Sequence, residues 1–326
     1  MLFSRIRYWR RIVSAYLLGS ASHLAFWHGN TQPNEQASYT RTEQYYMLFE
    51  EKANYTENLD SAGIPLLDYR GSIGAQYNPI AIAQYGLGNH DLFLRTNEPE
   101  RRTKAIAAAD WLVENLTETK PGTHVWLHHF DWEYRSTLKA PWRSGLAQGQ
   151  GLSLLTRAYK LTGDQKYKTA AMDAFNAMIT PTTQGGVNYL DNSGCTWIEE
   201  YIVDPPTHIL NGFIWALWGV RDIATEFDVS EASELWENGI KTIKSNLGQF
   251  DTGRWSLYEI SGYKLLPMLA SSFYHRLHIV QLNILTEMTG DTYFRGVADR
   301  WQQYSGNRRN RTEAKLRKIA FKLLRY

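Results

Sequence analysis

Cysteine is nearly absent from this chain of 326 residues, which contains only Cys195. A single cysteine excludes an internal disulfide and any zinc site built on several cysteine ligands, and it fits a reducing compartment. The sequence also lacks a Walker loop, a dinucleotide-binding fingerprint and a Gly-x-Ser-x-Gly elbow. Any reaction must therefore be carried out by side chains alone, and we expect no cofactor.

Groups of metal ligands are scarce as well. His124, His128, His129 and Asp131 lie close together in the chain and could recruit a metal ion. Neighbouring residues of an extended segment point to opposite sides, however, and no pair of histidines spaced along one helix supports this group. The sequence therefore predicts no metal site.

Long apolar runs are missing too. Residues 12–26 carry no formal charge and follow four arginines within residues 1–11, a pattern that resembles a signal peptide. Polar residues interrupt the apolar part, which is shorter than the roughly 20 residues of a membrane span. We predict that residues 1–40 form a basic N-terminal arm of a cytoplasmic protein at the membrane periphery, with export as the alternative.

Positive charge is concentrated at the two ends of the chain, although the formal net charge is only +2. Residues 1–11 hold four Arg, and residues 306–326 hold eight Lys and Arg against one Glu. Of the totals of 35 basic and 33 acidic residues, 23 and 32 remain for the rest of the chain, so the body of the protein is acidic. This distribution argues against a nucleic-acid partner.

The C-terminal segment, residues 306–326, has the pattern of a basic amphipathic helix. Its predicted apolar face comprises Leu316, Ile319, Ala320, Leu323 and Leu324, and the opposite face comprises Lys315, Lys318, Lys322 and Arg325. Such a helix can lie on an anionic membrane surface or on a partner, or it can dock on its own domain. The sequence leaves these alternatives open.

A repeat organises the chain from residue 40 onward. Apolar first helices are predicted to begin near residues 78, 144, 210 and 275, at a spacing of 65 to 66 residues, and each is followed by a more charged second helix. The predicted helices are 80–94, 98–116, 144–161, 165–179, 210–227, 231–247, 275–288 and 293–304. We therefore predict an all-α domain over residues 41–305, an α/α toroid (barrel) of about four helical hairpins with the first helices inside. An open solenoid is the alternative, but its end faces would need caps.

Three connections between hairpins are unusually long, which is typical of functional segments. They span residues 121–143, 180–209 and 248–274. Each follows a second helix and precedes a first helix, so all three should gather at one mouth of the toroid. The stretch Thr196–Tyr201 in the second connection carries two adjacent carboxylates and a tyrosine. We place the candidate site at this mouth.

Two kinds of chemistry suit the side chains at the mouth. Glycoside hydrolysis needs two carboxyl groups about 5–10 Å apart, which adjacent residues rarely achieve, so Asp131 or Glu259 would have to assist Glu199 and Glu200. Tyrosines suit proton transfer, because a phenol can give a proton to a carbanion and a phenolate can remove one. Proton removal beside a carboxylate also needs cations. The candidate cations are Arg143, Arg254, Lys264, His275 and Arg276. This inventory favours proton transfer at a uronic acid.

Several short motifs follow one another in a fixed order along the chain. They are Tyr77–Leu87, Gly145–Gly151 with Arg157–Tyr159, Thr196–Tyr201, Ile209–Phe213, Leu257-Tyr258, and Phe273–His275 with His278 and Gln281. With these motifs, residues 70–305 resemble the C-terminal catalytic domain of the D-glucuronyl C5-epimerases, in a minimal form of bacterial or archaeal type. So many matches in order make the resemblance far more specific than any one motif.

The resemblance implies an α/α barrel and a reaction without a cofactor. The C5 proton of a glucuronate residue in a heparosan-like or other uronate polysaccharide is removed, and a proton returns to the opposite face to give iduronate. Carried over by motif, the catalytic residues are Glu200, Tyr201, Tyr258 and Tyr274. Glu200 and Tyr274 form the opposed acid/base pair in this hypothesis, and the other two tyrosines assist proton transfer or hold the substrate.

Substrate binding is predicted for a wider set of residues around the same mouth. The set comprises Tyr77, Asn78, Gln84, Trp126, Arg143, Gln148, Gln150, Glu199, Asn211, Lys264, His275, Arg276 and His278. Animal members of the family carry an arginine three residues after the tyrosine matched by Tyr258, where this chain has Ser261. The cation that holds the substrate carboxylate must then be another one, and Arg276, Arg143 and Lys264 are the candidates.

Other functions compete with epimerisation. A polysaccharide lyase would begin with the same proton abstraction but would expel the O4 substituent, and a non-catalytic protein could bind or assemble glycans. Animal epimerases also have N-terminal β domains, in whose place this chain has a short basic arm. The expected partner is an acidic polysaccharide. The basic termini could bind a membrane surface or a glycan-assembly partner, and a homodimer is a further expectation.

Overall fold

The computed structural model describes residues 26–69, 71–261 and 267–325, and helices dominate this part of the chain. A short helix, α1 (Glu50–Ala53), comes first. Four hairpins follow: α2 (Pro79–Thr96) with α3 (Pro99–Glu114), α4 (Gly145–Thr162) with α5 (Gln165–Ile179), α6 (Leu210–Phe227) with α7 (Ser230–Asn246), and α8 (Ser272–Thr289) with α9 (Thr292–Gly306). A last helix, α10 (Arg308–Arg325), completes the described chain. The eight predicted hairpin helices are confirmed, with ends that differ by at most three residues.

The turns inside two of the hairpins are built from a Gly-Asp pair. Gly163 and Gly290 end α4 and α8 with φ of +72°, a left-handed conformation that costs glycine little. The following residues, Asp164 and Asp291, each accept a backbone N–H of the next helix at 3.0 Å. The glycine therefore stops one helix and the aspartate caps the next.

The first helices α2, α4, α6 and α8 pack side by side in chain order and are largely buried. Gly149 allows α4 and α6 to approach closely, because a Cβ at this position would lie 2.3 Å from the Cα of Ala216. A buried ion pair between Arg157 and Asp222, 2.7 Å long, joins the same two helices. The more charged second helices lie outside this row, which gives the layered arrangement expected of an α/α fold.

Residues 26–53 precede the first hairpin in the chain. The backbone of Phe49 touches α2 at Gly88, where an added Cβ would meet the Phe49 oxygen at 2.4 Å. The ring of His28 lies 4.8 Å from that of Phe273 at the start of α8. This segment therefore contacts both ends of the row of hairpins. Closure into a complete toroid, the solenoid alternative and the domain boundaries stay predictions, and residues 1–25 of the predicted arm lie outside the described residues.

Short antiparallel ribbons modify the predicted all-α fold. They pair β1 (Leu66–Asp68) with β2 (Ala75–Tyr77), β3 (Thr117–Lys120) with β4 (Thr123–Val125), β5 (Leu127–His128) with β8 (Trp142–Arg143), β6 (Trp132–Glu133) with β7 (Thr137–Leu138), and β9 (Asn188–Leu190) with β10 (Thr196–Ile198). Two 3₁₀ turns, Thr182–Gln184 and Leu247–Phe250, also occur. Most of these strands lie in the long connections, whose backbone polar groups are satisfied there without a helix.

The second and third connections meet, as predicted. The backbone N–H of Leu210 donates to the carbonyl of Tyr258 at 3.3 Å, and Ile209 pairs with Glu259 in an isolated bridge. The N–H of Tyr258 donates to the carbonyl of Met268 at 2.7 Å. These bonds hold Tyr258 beside the start of α6, next to the segment that carries the paired glutamates.

Helix α10 docks on its own domain with a face other than the predicted one. Lys318 and Phe321 are buried, whereas Leu316 of the predicted apolar face is 59% exposed. Lys318 donates to the carbonyl of Leu269 at 2.7 Å, and its ammonium lies 5.4 Å from the ring centre of Tyr258. A lysine stem can pack like an apolar side chain when its ammonium finds a polar partner, which is why charge alone misplaced the face.

The side chains of Lys322, Leu324 and Arg325 lie outside the described residues. Of the helices that the structure describes, none is long and apolar enough to cross a bilayer. Binding of a membrane surface or a further protein by the outer face of α10 stays a prediction.

Phe321→Ala is therefore expected to lower the free energy of unfolding by roughly 3 kcal/mol, because a buried aromatic side chain is removed. The matched control Leu316→Ala, on the exposed side of α10, should change it by less than about 0.5 kcal/mol. Urea denaturation of both variants measures the difference. Equal effects would show that the two faces of α10 are buried alike.

Candidate active site

A cavity lies where the connections meet the inner helices, at the mouth where the sequence places the site. The first two turns of α2, α4, α6 and α8 form part of its wall. Nine of its sixteen lining residues are aromatic, a composition that suits the C–H faces of sugar rings. Its polar lining residues are Lys52, Asn78, Gln84, Glu200 and Asn211.

Glu200 reaches this cavity from the segment after β10 and packs on the first turn of α6. A Cβ on Gly212 would lie 2.1 Å from Oε2 of Glu200, so only glycine leaves room for the carboxylate. The pKa of Glu200 is raised to about 7, mainly by burial; a hydrogen bond from Tyr201 opposes the rise, and the charge of Glu199 contributes to it. Its Oε2 has no hydrogen-bond partner within the described chain. Such a carboxyl group can take up and release a proton near neutral pH.

Glu199 points away from Glu200, as alternation along an extended segment requires. Its carboxylate contacts Nδ1 of His208 at 2.5 Å and accepts the backbone N–H of His208 at 3.2 Å. His208 adopts φ of +46° and stacks on Trp197 with ring centres 4.2 Å apart. Glu199 therefore fixes the backbone beside Glu200 and does not line the cavity, which corrects its assignment to substrate binding.

The three tyrosines predicted to be catalytic lie together beside Glu200. Tyr201 donates to the Glu200 carboxylate, and Tyr258 is hydrogen-bonded to Tyr274, with ring centres 4.8 Å apart. Tyr201 and Tyr274 line the cavity, and Tyr258 lies behind Tyr274. Burial, followed by the negative charge of Glu200, raises the pKa of both Tyr201 and Tyr258 well above 10. These phenols therefore remain protonated near neutral pH and can act as hydrogen-bond or proton donors.

Asn78, Gln84 and Asn211 all line the cavity, as their assignment to substrate binding requires. Asn78 caps α2 by accepting the N–H of Ile80 at 2.9 Å, and its amide donates to the hydroxyl of Tyr69 at 2.7 Å. The side-chain oxygens of Gln84 and Asn211 are buried without a hydrogen-bond partner among the described residues. Buried acceptors of this kind suit the hydroxyl groups of a sugar.

Three other predicted binding residues have structural roles. The side-chain oxygen of Gln148 accepts the backbone N–H of Trp126 at 2.9 Å, and its amide donates to a backbone carbonyl in each of two neighbouring segments. The indole of Trp126 donates to the carbonyl of Leu112 at 2.8 Å. The amide of Gln150 donates to the hydroxyl of Tyr45 at 2.6 Å. All three are buried outside the cavity lining, so their assignment to substrate binding is corrected.

His275 and His278 also belong to the core. Nε2 of His275 donates to the carbonyl of Trp301 at 3.0 Å, so its Nδ1 accepts from Ser256. Nδ1 of His278 shares the same hydroxyl at 3.0 Å. Burial lowers the pKa of His275 to about 4 and that of His278 well below its ordinary value, so both are neutral. Neither lines the cavity, which corrects both assignments.

Two of the three cations expected to clamp a carboxylate lie outside the cavity lining. The Arg143 guanidinium donates to the carbonyls of Gly186 and Thr182 at 2.9 and 2.8 Å, and Arg276 is exposed outside the cavity lining. Lys264 lies outside the described residues. A different cation, Lys52, lies in the cavity wall.

The assignment of Tyr77 to substrate binding is also corrected. Tyr77 is 38% exposed, and its hydroxyl donates to Asp60 at 2.7 Å while its ring lies 5.5 Å from that of Trp111. Tyr77 ends the extended strand β2, in which neighbouring side chains point to opposite sides. Its side chain therefore lies on the outer surface, whereas the next residue, Asn78, faces the cavity.

Among the described residues, Glu200 is the one carboxylate that lines the cavity, so the second acid that hydrolysis would need is not found there. Glu259 accepts from Tyr134 and forms a buried ion pair with Arg135, and Asp131 is exposed and contacts Lys139 at 2.5 Å. The possible metal ligands, His124, His128, His129 and Asp131, do not form a cluster of three or more in the described residues either. His128 stacks on Trp142 with ring centres 3.8 Å apart, and burial lowers its pKa to about 3.

Several cavity residues escape the sequence-based prediction because they come from distant segments. Trp27 and Lys52 precede the first hairpin, and Tyr69 lies in the loop after β1. Trp215, one turn beyond Asn211 in α6, also lines the cavity. The helical spacing from Asn211 could have indicated Trp215, but nothing in the sequence places residues 26–69 at the mouth.

Fold and site together define a mainly helical protein of four packed hairpins, with an aromatic cavity that holds a buried glutamate and a tyrosine cluster. Residues 122–303 match the family described as D-glucuronyl C5-epimerase C-terminus, and the chain belongs to this family. A D-glucuronyl C5-epimerase of Caenorhabditis elegans is 33% identical over 229 residues, which make up 66% of this chain and 37% of that protein. The resemblance seen in the motifs is thus confirmed.

Other relatives agree with this assignment at a coarser level. An uncharacterized protein of Methanocaldococcus jannaschii is 30% identical over 201 residues, 61% of this chain and 63% of that protein. The chain therefore spans less than two thirds of the length of these relatives. The solved cellobiose 2-epimerase of Bacillus thermoamylovorans superposes with a TM-score of 0.53 at 15% identity, over 74% of this chain and 61% of that one, which supports the fold alone.

Proposed function

We propose that this protein epimerises D-glucuronate residues to L-iduronate at C5 within a heparosan-like polysaccharide, without a cofactor. One observation carries the proposal: a buried carboxyl group whose pKa is about 7, Glu200, lies beside a cluster of three tyrosines in an aromatic cavity. A carboxylate can remove a proton from carbon, and a phenol can supply one. Family membership adds the substrate class, since the curated relative is a D-glucuronyl C5-epimerase.

The proposed reaction removes one proton from C5 and adds another to its opposite face. The Glu200 carboxylate takes the C5 proton, and the electron pair of the broken C–H bond enters the carboxyl group as an enediolate. The Tyr274 hydroxyl then gives its proton to the opposite face of C5, which re-forms the carboxylate with inverted configuration. Tyr258, hydrogen-bonded to Tyr274, stabilises the phenolate left behind. Tyr201 holds the Glu200 carboxylate in place through its hydrogen bond.

The rate should depend on pH through Glu200. As a base it must be ionised, so the ascending limb of the dependence of kcat/KM on pH is expected to lie at about pH 7. The negative charge of Glu199 contributes to the raised pKa, so Glu199→Gln should move this rise to lower pH. A pH–rate profile of both proteins tests the assignment. A rise centred near pH 4.5, the ordinary value, would contradict it.

Gly212→Ala is expected to reduce turnover by about 10²-fold, because the new methyl group would displace the Glu200 carboxylate. The matched control is Gly296→Ala in α9, where a Cβ meets no atom within 4 Å. The control should keep full activity and gain roughly 0.5–1 kcal/mol of stability from better helix propensity. Steady-state rates with thermal unfolding of both variants provide the comparison, and full activity of Gly212→Ala would contradict the placement of Glu200.

The test of the function is incubation with unsulfated and N-sulfated heparosan in heavy water. NMR at the uronate C5 and ultraviolet absorbance are then recorded. Deuterium at C5 with iduronate signals and constant absorbance is the expected result. Rising absorbance with chain shortening would establish a lyase. Binding of the polymer without either change would make the protein a glycan-binding module.

A further inference from the structure

A lysine outside the family-matched region lies in the cavity wall without an ion-pair partner in the described chain. Lys52 belongs to α1, and its Nζ donates to the carbonyl of Phe26 at 2.7 Å. The aromatic rings of Phe26, Trp27 and Phe49 surround Nζ, with centres 4.5, 5.5 and 5.7 Å away. No carboxylate of the described chain forms an ion pair with this ammonium; the adjacent Glu51 is exposed and accepts from Asn30.

A buried ammonium without a carboxylate partner is costly, so proteins retain one mainly where it serves a function. An ammonium has three N–H donors, and the Phe26 carbonyl takes one. Burial lowers the pKa of Lys52 to about 7, so the cavity wall favours its neutral form until an anion arrives. Both Lys52 and Glu200 line the cavity, although they lie 148 residues apart along the chain (200 − 52).

The other candidate cations that the structure describes do not line the cavity. Arg143 is committed to two backbone carbonyls, Arg276 is exposed, and Arg254 pairs with Glu313 at 2.9 Å on the surface. Among the cavity-lining residues that the structure describes, Lys52 is the one cationic side chain.

We propose that Lys52 binds the carboxylate of the uronate residue and stabilises the enediolate formed from it. The inference rests on the proposed function for the identity of the substrate. The cation comes from residues 50–53, which precede the hairpins, so this segment completes the site. Charge is most valuable here because the negative charge on the carboxyl oxygens increases when C5 loses its proton.

The test compares two ligands and four proteins at pH 6.5. The ligands are a heparosan tetrasaccharide with an internal glucuronate and the same tetrasaccharide with its carboxyl groups reduced to alcohols. The proteins are the wild type, Lys52→Met, Lys52→Arg and the matched control Lys139→Met, whose lysine is exposed outside the cavity. Calorimetry gives the dissociation constants, and C5 deuterium incorporation is measured in parallel.

The wild type should bind the uronate tetrasaccharide about tenfold tighter than the reduced one, a difference typical of one charge-assisted contact. Lys52→Met should lose that preference while binding the reduced ligand within about twofold of the wild type, which also shows that it is folded. Lys52→Arg should keep part of the preference, and Lys139→Met all of it.

Two results would overturn the role of Lys52: a preference for the uronate ligand that survives in Lys52→Met, or no preference in the wild type. Equal weakening of both ligands by Lys52→Met and Lys52→Arg would assign the residue a structural role and would also overturn the inference. Failure of the proposed function would give a result distinct from failure of the role of Lys52. The wild type would then prefer the uronate ligand through Lys52 but incorporate no deuterium at C5.

Discussion

Replacing Glu200 with Gln should slow epimerisation by about 10³-fold or more and leave the protein folded. The amide has the shape of the carboxyl group and can fill the same space against Gly212, but it cannot accept a proton from C5. A residual rate above that level would mean that another group removes the proton. Rates of iduronate formation, measured by NMR, give the comparison.

Stability provides the control for Glu200→Gln. The pKa of Glu200 in the folded protein, about 7, lies above the ordinary 4.5, so its contribution to stability is complete below pH 4.5 and is lost as pH rises through 7. The amide does not ionise, so the variant should be more stable than the wild type at pH 8 and less distinct from it at pH 4.5. Loss of activity with this gain in stability cannot be ascribed to unfolding.

Glu199→Gln distinguishes the two neighbouring carboxylates. Glu199 contacts His208 and lies outside the cavity lining, so its replacement should slow epimerisation by less than about tenfold. If Glu199→Gln were as damaging as Glu200→Gln, the roles of the pair would have to be exchanged or shared.

Tyr274→Phe should slow epimerisation by about 10²- to 10³-fold, because the variant keeps the ring and loses the hydroxyl that supplies the second proton. The edge-to-face packing on Tyr258, with ring centres 4.8 Å apart, needs no hydroxyl, so the fold should be retained. KM should change less than kcat, since the hydroxyl acts in the transition state.

The matched control for this variant is Tyr77→Phe. Tyr77 was a predicted binding residue, but the structure places its hydroxyl on Asp60 at the outer surface. It should therefore keep nearly full activity. An inactive Tyr77→Phe together with an active Tyr274→Phe would move the site to the other side of α2.

The hairpins could be predicted because their signals are local. Apolar spacing, the Gly-Asp turns and the Asn78-Pro79 start fix each helix without reference to the rest of the chain. The docking face of α10 could not be predicted in this way. Its buried residue Lys318 is stabilised by the carbonyl of Leu269, a contact that depends on the tertiary structure.

The same distinction between local signals and tertiary contacts applies to the residues of the site. Glu200 and Tyr201 lie in one motif and Tyr274 lies in another, so short-range signals were enough to mark them, although the predicted helix begins at residue 275 and α8 begins at Ser272. Gln148 and His278 are polar residues in motifs too, but they satisfy buried backbone and hydroxyl groups, and a sequence does not show which polar residues face a core and which a cavity. Lys52 was missed because its charge matters only where α1 meets the mouth.

The central claim is that Glu200 and Tyr274 act on opposite faces of C5. Its most direct test measures C5 hydrogen exchange with solvent deuterium, starting separately from glucuronate and iduronate polymers, for the wild type, Glu200→Gln and Tyr274→Phe. The account predicts that the wild type exchanges and interconverts both epimers. Each variant should fail to interconvert them yet still exchange slowly the epimer served by its remaining base, and the two variants should spare opposite epimers. If both variants spare the same epimer, or if either still interconverts the two at the wild-type rate, the opposed pair is contradicted.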